Sequence, residues 1–153
     1  MMKKIFAALL TVFMLIFTVC ANSPSYSTGE KTMETKINVT INGVTKTATL
    51  VDNVATKALI ELLSKGDVTV KTDDYDDFEK VGTFGSRLPT ANSQIDTVPG
   101  DIILYMGNNI CFYYGNNNWN FTRLGKLDIS DVKEIKEFLG AGKGKTEIVL
   151  SIK

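Results

Sequence analysis

The sequence predicts a mainly β domain that closes into an antiparallel barrel and carries two helices. Seven or eight short segments alternate apolar and polar residues, which is the period of a strand with one buried face. Short turns rich in Gly and Asn separate several of these segments, and two stretches at separate points of the chain have helical periodicity. Closure into a barrel would remove exposed strand edges, so we expect one barrel domain over residues 36–153.

The domain begins with a predicted hairpin, "KINVTINGVTKTATL". Ile37, Val39 and Ile41 alternate with polar residues, as in a half-buried strand. Asn42-Gly43 is a preferred two-residue turn because both residue types tolerate a positive φ. The turn therefore predicts that both strands present an apolar face to the same side.

The next segment, "DNVATKALIELLSKG", predicts the first helix. Asp52 or Asn53 is a suitable N-cap, and Gly66 a suitable stop. The apolar stripe consists of Ala55, Ala58, Leu59, Leu62 and Leu63. A strand is expected over residues 68–72.

An acidic run and a long connection follow this strand. The run "DDYDDFE", residues 73–79, lacks the alternating ligands and the glycine of a calcium-binding EF-hand loop, so it predicts a solvated turn. Residues 82–100 are dense in Gly, Pro, Ser and Asn, and we expect a long loop there. Loops of this length inside a compact domain are often functional.

The stretch "PGDIILYMGNNICFYYG" predicts an aromatic hairpin that turns at residues 107–109. We expect Ile102, Leu104 and Met106 on one face of its first strand, with residues 103 and 105 on the other. The second strand alternates in the same way: residues 110, 112 and 114 face one side, and residues 111 and 113 face the other. This hairpin predicts either a barrel interior or the wall of a ligand site.

The last part of the domain predicts a strand, the second helix and a final strand. Residues 119–127 form the strand, with Trp119, Phe121 and Arg123 on one face. Ser130 is the expected N-cap of the helix and Gly140 its stop, and the inward positions are Val132, Ile135 and Leu139. The final strand lies within "TEIVLSIK".

The start of the chain predicts export. Residues 1–21 combine Lys3 and Lys4, an apolar run and a small-residue end, which is the pattern of a signal peptide cleaved after Ala21. Lipidation at Cys20, which would place the protein on a membrane, is the alternative. Residues 22–35 are polar and aperiodic and predict a flexible tether. We expect a secreted or cell-envelope protein.

Charge and composition exclude several functions. Without Lys3 and Lys4, 15 basic residues stand against 17 acidic ones, a net charge of −2, so nucleic-acid binding is not expected. The chain has no histidine, which removes histidine-dependent hydrolases and histidine-ligated metal sites. Cys111, between Ile110 and Phe112, is expected to be a buried and inert thiol. We therefore expect no metal and no cofactor.

The order of motifs resembles the small bacterial cyclophilin-like domain proteins. The motifs that carry the resemblance are "INVTINGVTKTATLVDNVATKALIELL", "RLPT", "PGDIILYMGNNICFYYG" and "FTRLGKL", within residues 36–152. The resemblance implies an eight-stranded cyclophilin-like barrel with two helices, and it implies the fold more firmly than any activity.

Peptidyl-prolyl isomerase activity does not follow from this resemblance. True cyclophilins have a Phe-His-Arg strand motif and a Gln-Gly-Gly-Asp segment, and this chain has neither. Arg87 and Gln94 are present in the long loop, but neither lies in a matching motif. We expect no catalytic residue.

The candidate ligand-binding residues are Arg87, Tyr105, Tyr113, Trp119 and Arg123. The aromatic residues suit a groove with polar tips, although they could equally pack as barrel core. Each arginine could orient an anionic or carbonyl group, or form a surface ion pair. The leading hypothesis is a non-catalytic exported module that binds a peptide or small ligand. A divergent prolyl isomerase and a structural or partner-docking envelope protein are the alternatives.

Overall fold

A computed structural model describes residues 34–152 of the chain. The predicted signal peptide and residues 22–33 of the predicted tether lie outside this range. The described part contains nine strands and two helices. The strands are β1 (Lys36–Ile41), β2 (Val44–Leu50), β3 (Val68–Tyr75), β4 (Glu79–Thr83), β5 (Ser93–Thr97), β6 (Asp101–Tyr105), β7 (Asn109–Tyr113), β8 (Asn117–Leu127) and β9 (Thr146–Ile152). The helices are α1 (Val54–Leu63) and α2 (Val132–Leu139).

Eight of the strands form a closed antiparallel barrel. Their order is β2-β1-β9-β3-β4-β7-β6-β8, and pairing of β2 with β8 closes the circle. The one remaining strand of the described part, β5, pairs with residues 117–121 of β8 and is not part of the closed circle. The predicted eight-stranded barrel with two helices is therefore confirmed, with one additional strand.

The first hairpin has the predicted turn and register. Ile41 pairs with Val44, and the two turn residues have positive φ, 50° at Asn42 and 77° at Gly43. Ile37 and Val39 are buried in the barrel interior. The alternation and the turn type together determine this register, as expected.

Both helices pack onto the main hydrophobic core. The α1 side chains that enter it include Ala55, Leu59 and Leu63, and those of α2 are Ile135 and Leu139. Neither helix within residues 34–152 has the length and apolar character that would be needed to cross a membrane.

Two details of the predicted α2 are wrong. Its N-cap is Asp131, one residue after Ser130, because the Asp131 carboxylate accepts a hydrogen bond from the Glu134 amide at 2.7 Å. Val132 is exposed. As the first helical residue it extends its side chain towards the helix N terminus. Gly140 ends the helix in the left-handed conformation, as expected.

The structure also corrects the prediction for residues 68–100. Strand β3 continues to Tyr75, and β4 and β5 lie where the sequence predicted an acidic turn and a long loop. In β4 the consecutive residues Glu79 and Lys80 are both buried, so buried and exposed residues do not alternate there. In β5 the only large apolar side chain is Ile95.

Candidate functional site

The aromatic hairpin formed by β6 and β7 supplies both faces of the barrel wall. Ile102, Phe112 and Tyr114 belong to the main core inside the barrel. On the opposite face, Cys111 and Tyr113 belong to a second, smaller hydrophobic cluster. That cluster contains Ile95, Ile103, Cys111, Tyr113 and Phe121, with Phe78 and Val81 packed against it. The predicted alternation is confirmed for residues 102–105 and 110–114. Met106 was predicted to share the face of Ile102 and Leu104, but it is exposed and has a φ of 52°, because the turn occupies residues 106–108 rather than 107–109.

A groove with a volume of about 400 Å³ lies over this second cluster. We call it the aromatic groove. Its lining residues come from the β3–β4 hairpin and from β6, β7 and β8: Tyr75, Phe78, Glu79, Val81, Tyr105, Asn109, Cys111, Tyr113, Asn117, Trp119 and Phe121. Its volume falls within the range of small-molecule sites.

Five aromatic rings form a continuous series along the groove. Tyr75 meets Phe78 edge-on at 5.8 Å between ring centroids, and Phe78 stacks on Tyr113 at 5.9 Å. Phe121 then contacts Tyr113 at 6.2 Å and Tyr105 at 5.8 Å. These separations are those of favourable aromatic pairs, so the rings support one another as a preformed wall.

The β3–β4 turn is attached to the end of β7 by backbone hydrogen bonds. The amides of Tyr114 and Gly115 both donate to the Phe78 carbonyl, at 2.8 and 2.9 Å. Gly115 is required here, because a Cβ at this position would lie 2.7 Å from the Phe78 Cβ. This attachment places the Phe78 ring and the following Glu79 against Tyr113.

Glu79 is the only acidic residue that lines the groove within the described part of the chain. It pairs with Tyr113 across the β4–β7 ladder, and only 7% of its surface is exposed. Burial raises the pKa of the Glu79 carboxyl, the nearby Tyr113 hydroxyl and Cys111 thiol partly offset this, and the charge of Asp76 raises it further. The groove thus has a carboxyl group in an apolar setting.

Three further polar groups of the groove lie near Glu79: the Asn117 amide, the Tyr113 hydroxyl and the Cys111 thiol. The Asn117 side-chain amide donates to the Tyr113 hydroxyl at 3.4 Å, and burial, together with the Glu79 carboxyl, raises the pKa of that hydroxyl. Burial and the same carboxyl also raise the pKa of the Cys111 thiol. Cys111 is therefore held as a neutral thiol, and thiolate is the nucleophilic form of cysteine.

The structure brings three of the five predicted site residues together. Tyr105, Tyr113 and Trp119 line the aromatic groove. Arg123 instead forms an ion pair with buried Asp101 at 2.6 Å. Arg87 donates to the Met106 carbonyl at 3.0 Å. Neither arginine is among the residues that line the groove.

The loop between β4 and β5 lies against the end of the β6–β7 hairpin. The Leu88 amide donates to the Gly107 carbonyl at 2.7 Å, and the Ala91 amide donates to the Thr122 hydroxyl at 2.8 Å. Leu88 itself is buried in the main core. None of residues 82–100 lines the aromatic groove, and their contribution to this face of the barrel is Ile95 of β5, in the underlying cluster.

The acidic run contains site residues that the sequence analysis did not identify. Tyr75, Phe78 and Glu79 line the groove, although the run was interpreted as a solvated turn. Two aromatic residues between acidic ones were the available signal. Asp74 of the same run also has partners within the fold. It forms an ion pair with buried Lys80 at 2.9 Å and accepts a hydrogen bond from the Tyr114 hydroxyl at 2.9 Å.

Metal-binding geometry is not found within residues 34–152: no group of three or more His, Cys, Asp or Glu side chains there could hold a metal ion. The lining of the groove offers a ligand aromatic rings, side-chain amides and one carboxyl group.

The closed barrel with a groove on its outer face defines the class of protein. The model of the Cyclophilin-like family matches residues 39–151, so the chain belongs to this family. The resemblance of the sequence motifs to cyclophilin-like proteins is thereby confirmed. No curated protein sequence matches the chain significantly.

The solved structures that share the fold include two proteins. McbB, determined in complex with tryptophan, is similar with a TM-score of 0.57 and 16% identity over 76% of this chain. The match covers 44% of McbB, so the chain spans less than half the length of that protein. The hypothetical protein AF2241 from Archaeoglobus fulgidus, solved in solution, is similar with a TM-score of 0.54 and 13% identity. That match covers 82% of this chain and 99% of AF2241.

Proposed function

We propose that this protein is an exported, non-catalytic binding module whose aromatic groove holds a small organic ligand or a side chain of a peptide. The observation that carries the proposal is a preformed series of aromatic rings over a buried carboxyl group, in a groove of about 400 Å³. Apolar walls with a few convergent polar groups are typical of ligand sites. The signal-peptide pattern of residues 1–21 supports export to the cell envelope or the medium.

The exposure of the groove also favours binding. Trp119 is 58% exposed and Tyr75 is 57% exposed, although both carry large apolar rings. Large exposed rings that line one groove favour a ligand site there. McbB, which contains a barrel of this fold, binds an aromatic amino acid, and this supports a small organic ligand as the first class to test.

Trp119 provides the test because it is the only tryptophan in the chain and lines the groove. We expect some members of a panel of small aromatic and aliphatic compounds to change its fluorescence in a saturable manner. Tyr105→Ala should weaken that binding, whereas Val132→Ala, a matched change of an exposed apolar residue on α2, should not. If no compound in the panel gives a saturable change, the small-ligand proposal is wrong. A stable complex with another envelope protein would then favour the docking alternative.

The divergent isomerase is the second candidate, and the positions of the two arginines do not favour it. A prolyl isomerase must bind the twisted amide more tightly than the planar one, which needs a well-placed donor. Arg123 and Arg87 donate to Asp101 and to the Met106 carbonyl, respectively. We expect no acceleration of a proline-peptide assay. Acceleration that Arg87→Ala abolishes in a folded protein would overturn the non-catalytic proposal.

A further inference from the structure

The carboxyl group of Glu79 is only partly satisfied by the described residues: the Tyr113 hydroxyl and the Cys111 thiol act on it, but one of its oxygens has no partner. Its side chain is buried, and its Oε2 atom has no hydrogen-bond partner within residues 34–152. A buried polar group without a partner is costly, and in native structures it indicates a missing ligand or a functional role. The second buried acid of this region, Asp101, differs because Arg123 lies 2.6 Å from it.

The lysine next to Glu79 in sequence does not neutralise it. Lys80 is fully buried and its ammonium group forms an ion pair with Asp74 at 2.9 Å and donates to the Gly144 carbonyl. Successive residues of a strand point to opposite faces, so Lys80 and Glu79 lie on different sides of the barrel wall. Within residues 34–152 no lysine or arginine lies within ion-pair distance of Glu79.

The surroundings of Glu79 favour a positive charge. None of the described residues that line the groove is basic, and Asp76 adds a second negative charge close enough to act on Glu79. Aromatic faces attract cations through their quadrupole, most strongly for Trp, and cages of such rings recognise ammonium groups. Here Phe78 and Tyr113 are stacked beside the carboxyl group, and Trp119 and Tyr105 stand at the rim.

We propose that the aromatic groove binds a small organic cation that carries an alkylated ammonium group, with Glu79 as its counter-ion and the aromatic rings as its walls. This inference rests on the proposed function and names the ligand class for the same groove. An anionic ligand would meet Glu79 and Asp76 without a compensating cation from the lining. A neutral ligand would leave the attraction of the rings for positive charge unused.

The test compares choline with 3,3-dimethyl-1-butanol, an uncharged molecule of the same shape. Binding is followed by the fluorescence of Trp119 in the purified protein. We expect choline to bind about tenfold more tightly than the neutral alcohol, because only choline engages the rings and the carboxylate electrostatically. Glu79→Gln should remove this preference, and Glu147→Gln, which changes an exposed acid on β9, should leave it unchanged.

A second variant keeps the test valid if Glu79→Gln does not fold. Tyr75→Leu replaces an exposed ring by an apolar side chain without changing any charge. It should weaken choline binding more than binding of the neutral alcohol, since a leucine packs but has no quadrupole.

The outcomes separate the two proposals. If the neutral alcohol or other neutral compounds of the panel bind and choline shows no preference, the cation proposal is wrong and the binding function stands. If a preference for choline persists unchanged in folded Glu79→Gln protein, Glu79 is not the counter-ion and the proposal is also wrong. If neither choline nor any compound of the panel binds, the proposed function fails together with it.

Discussion

Glu79 and Asp128 are two acidic side chains whose pKa values are shifted in opposite directions by their surroundings. Glu79 lies in an apolar groove, where burial raises the pKa of its carboxyl group. Burial would also raise the pKa of Asp128. There, however, hydrogen bonds from Thr47, Thr49 and Lys36 outweigh it and lower the pKa to about 2. Glu79 therefore has the features of a site residue and Asp128 those of a structural one.

Glu79 should make the folded state less stable as the pH rises. The folded protein holds the Glu79 proton to a higher pH than the unfolded chain, whose Glu79 titrates near the usual value of 4.5. The stabilising contribution of Glu79 to the folded state is therefore fully present below pH 4.5. It is lost as the pH rises through the raised pKa of the folded state. Glu79→Gln stays neutral, so we expect its melting temperature to gain on that of the wild type as the pH rises above 4.5.

Asp128 provides the control for this measurement. Because its pKa is lowered, its stabilising contribution is present above the usual value of 3.8 and is lost as the pH falls towards about 2. Wild type and Glu79→Gln should share this acid-side loss of stability. If the difference in melting temperature between the two proteins is the same at every pH, the pKa of Glu79 is not raised.

At the scale of single elements, α2 shows how one residue determines where a helix begins. Ser130 and Asp131 are both good N-caps by residue type. The structure selects Asp131, whose carboxylate accepts a hydrogen bond from the Glu134 amide at 2.7 Å, and the helix begins at Val132. With the helix beginning at this position, Ile135 and Leu139 lie in the main core.

Replacing the two candidate caps by alanine should separate them. We expect Asp131→Ala to lower the free energy of unfolding by about 1 kcal/mol, because the Glu134 amide loses its partner. Ser130→Ala should change it by less than about 0.5 kcal/mol, as is usual for a surface substitution. Urea denaturation measures both values, and the reverse order would place the cap at Ser130.

For the whole molecule, the decisive contact is the β2–β8 seam that closes the barrel. Leu50 of β2 lies opposite Gly125 of β8, and a Cβ on Gly125 would collide with the Thr49 carbonyl oxygen and lie 3.0 Å from the Leu50 Cα. Leu124 and Leu127 of β8 both point into the main core, although residues three apart in a regular strand face opposite sides. The register shift of β8 opposite Ile102 and Ile103 permits this. The seam therefore needs glycine at this position.

Gly125→Ala should strain the seam and destabilise the barrel. We expect a loss of about 1–3 kcal/mol in the free energy of unfolding, which is typical of overpacking a tight contact. The neighbouring exposed residue provides the matched control, and Lys126→Ala should cost less than about 0.5 kcal/mol. Equal stability of Gly125→Ala and wild type would show that β2 and β8 do not approach as closely as described.

Local sequence patterns predict the local parts of this fold. The Asn42-Gly43 hairpin, helix α1, the alternating faces of β6 and β7 and the barrel class were all predicted, because periodicity and turn chemistry act between near neighbours. Three of the five predicted site residues, Tyr105, Tyr113 and Trp119, line the groove because they lie on strands whose faces alternate regularly.

The contacts made by the acidic run, residues 73–79, and the burial of Glu79 in the groove depend on residues far away in the sequence. Tyr114 donates to Asp74 across 40 positions, and Lys80 donates to the Gly144 carbonyl across 64, so no local pattern could reveal that these polar groups satisfy one another's hydrogen bonds. The same long-range pairing of β4 with β7 buries Glu79 beside Tyr113. A charged residue in a polar run predicts exposure, and its burial follows from the strand that packs beside it rather than from its own neighbours in sequence.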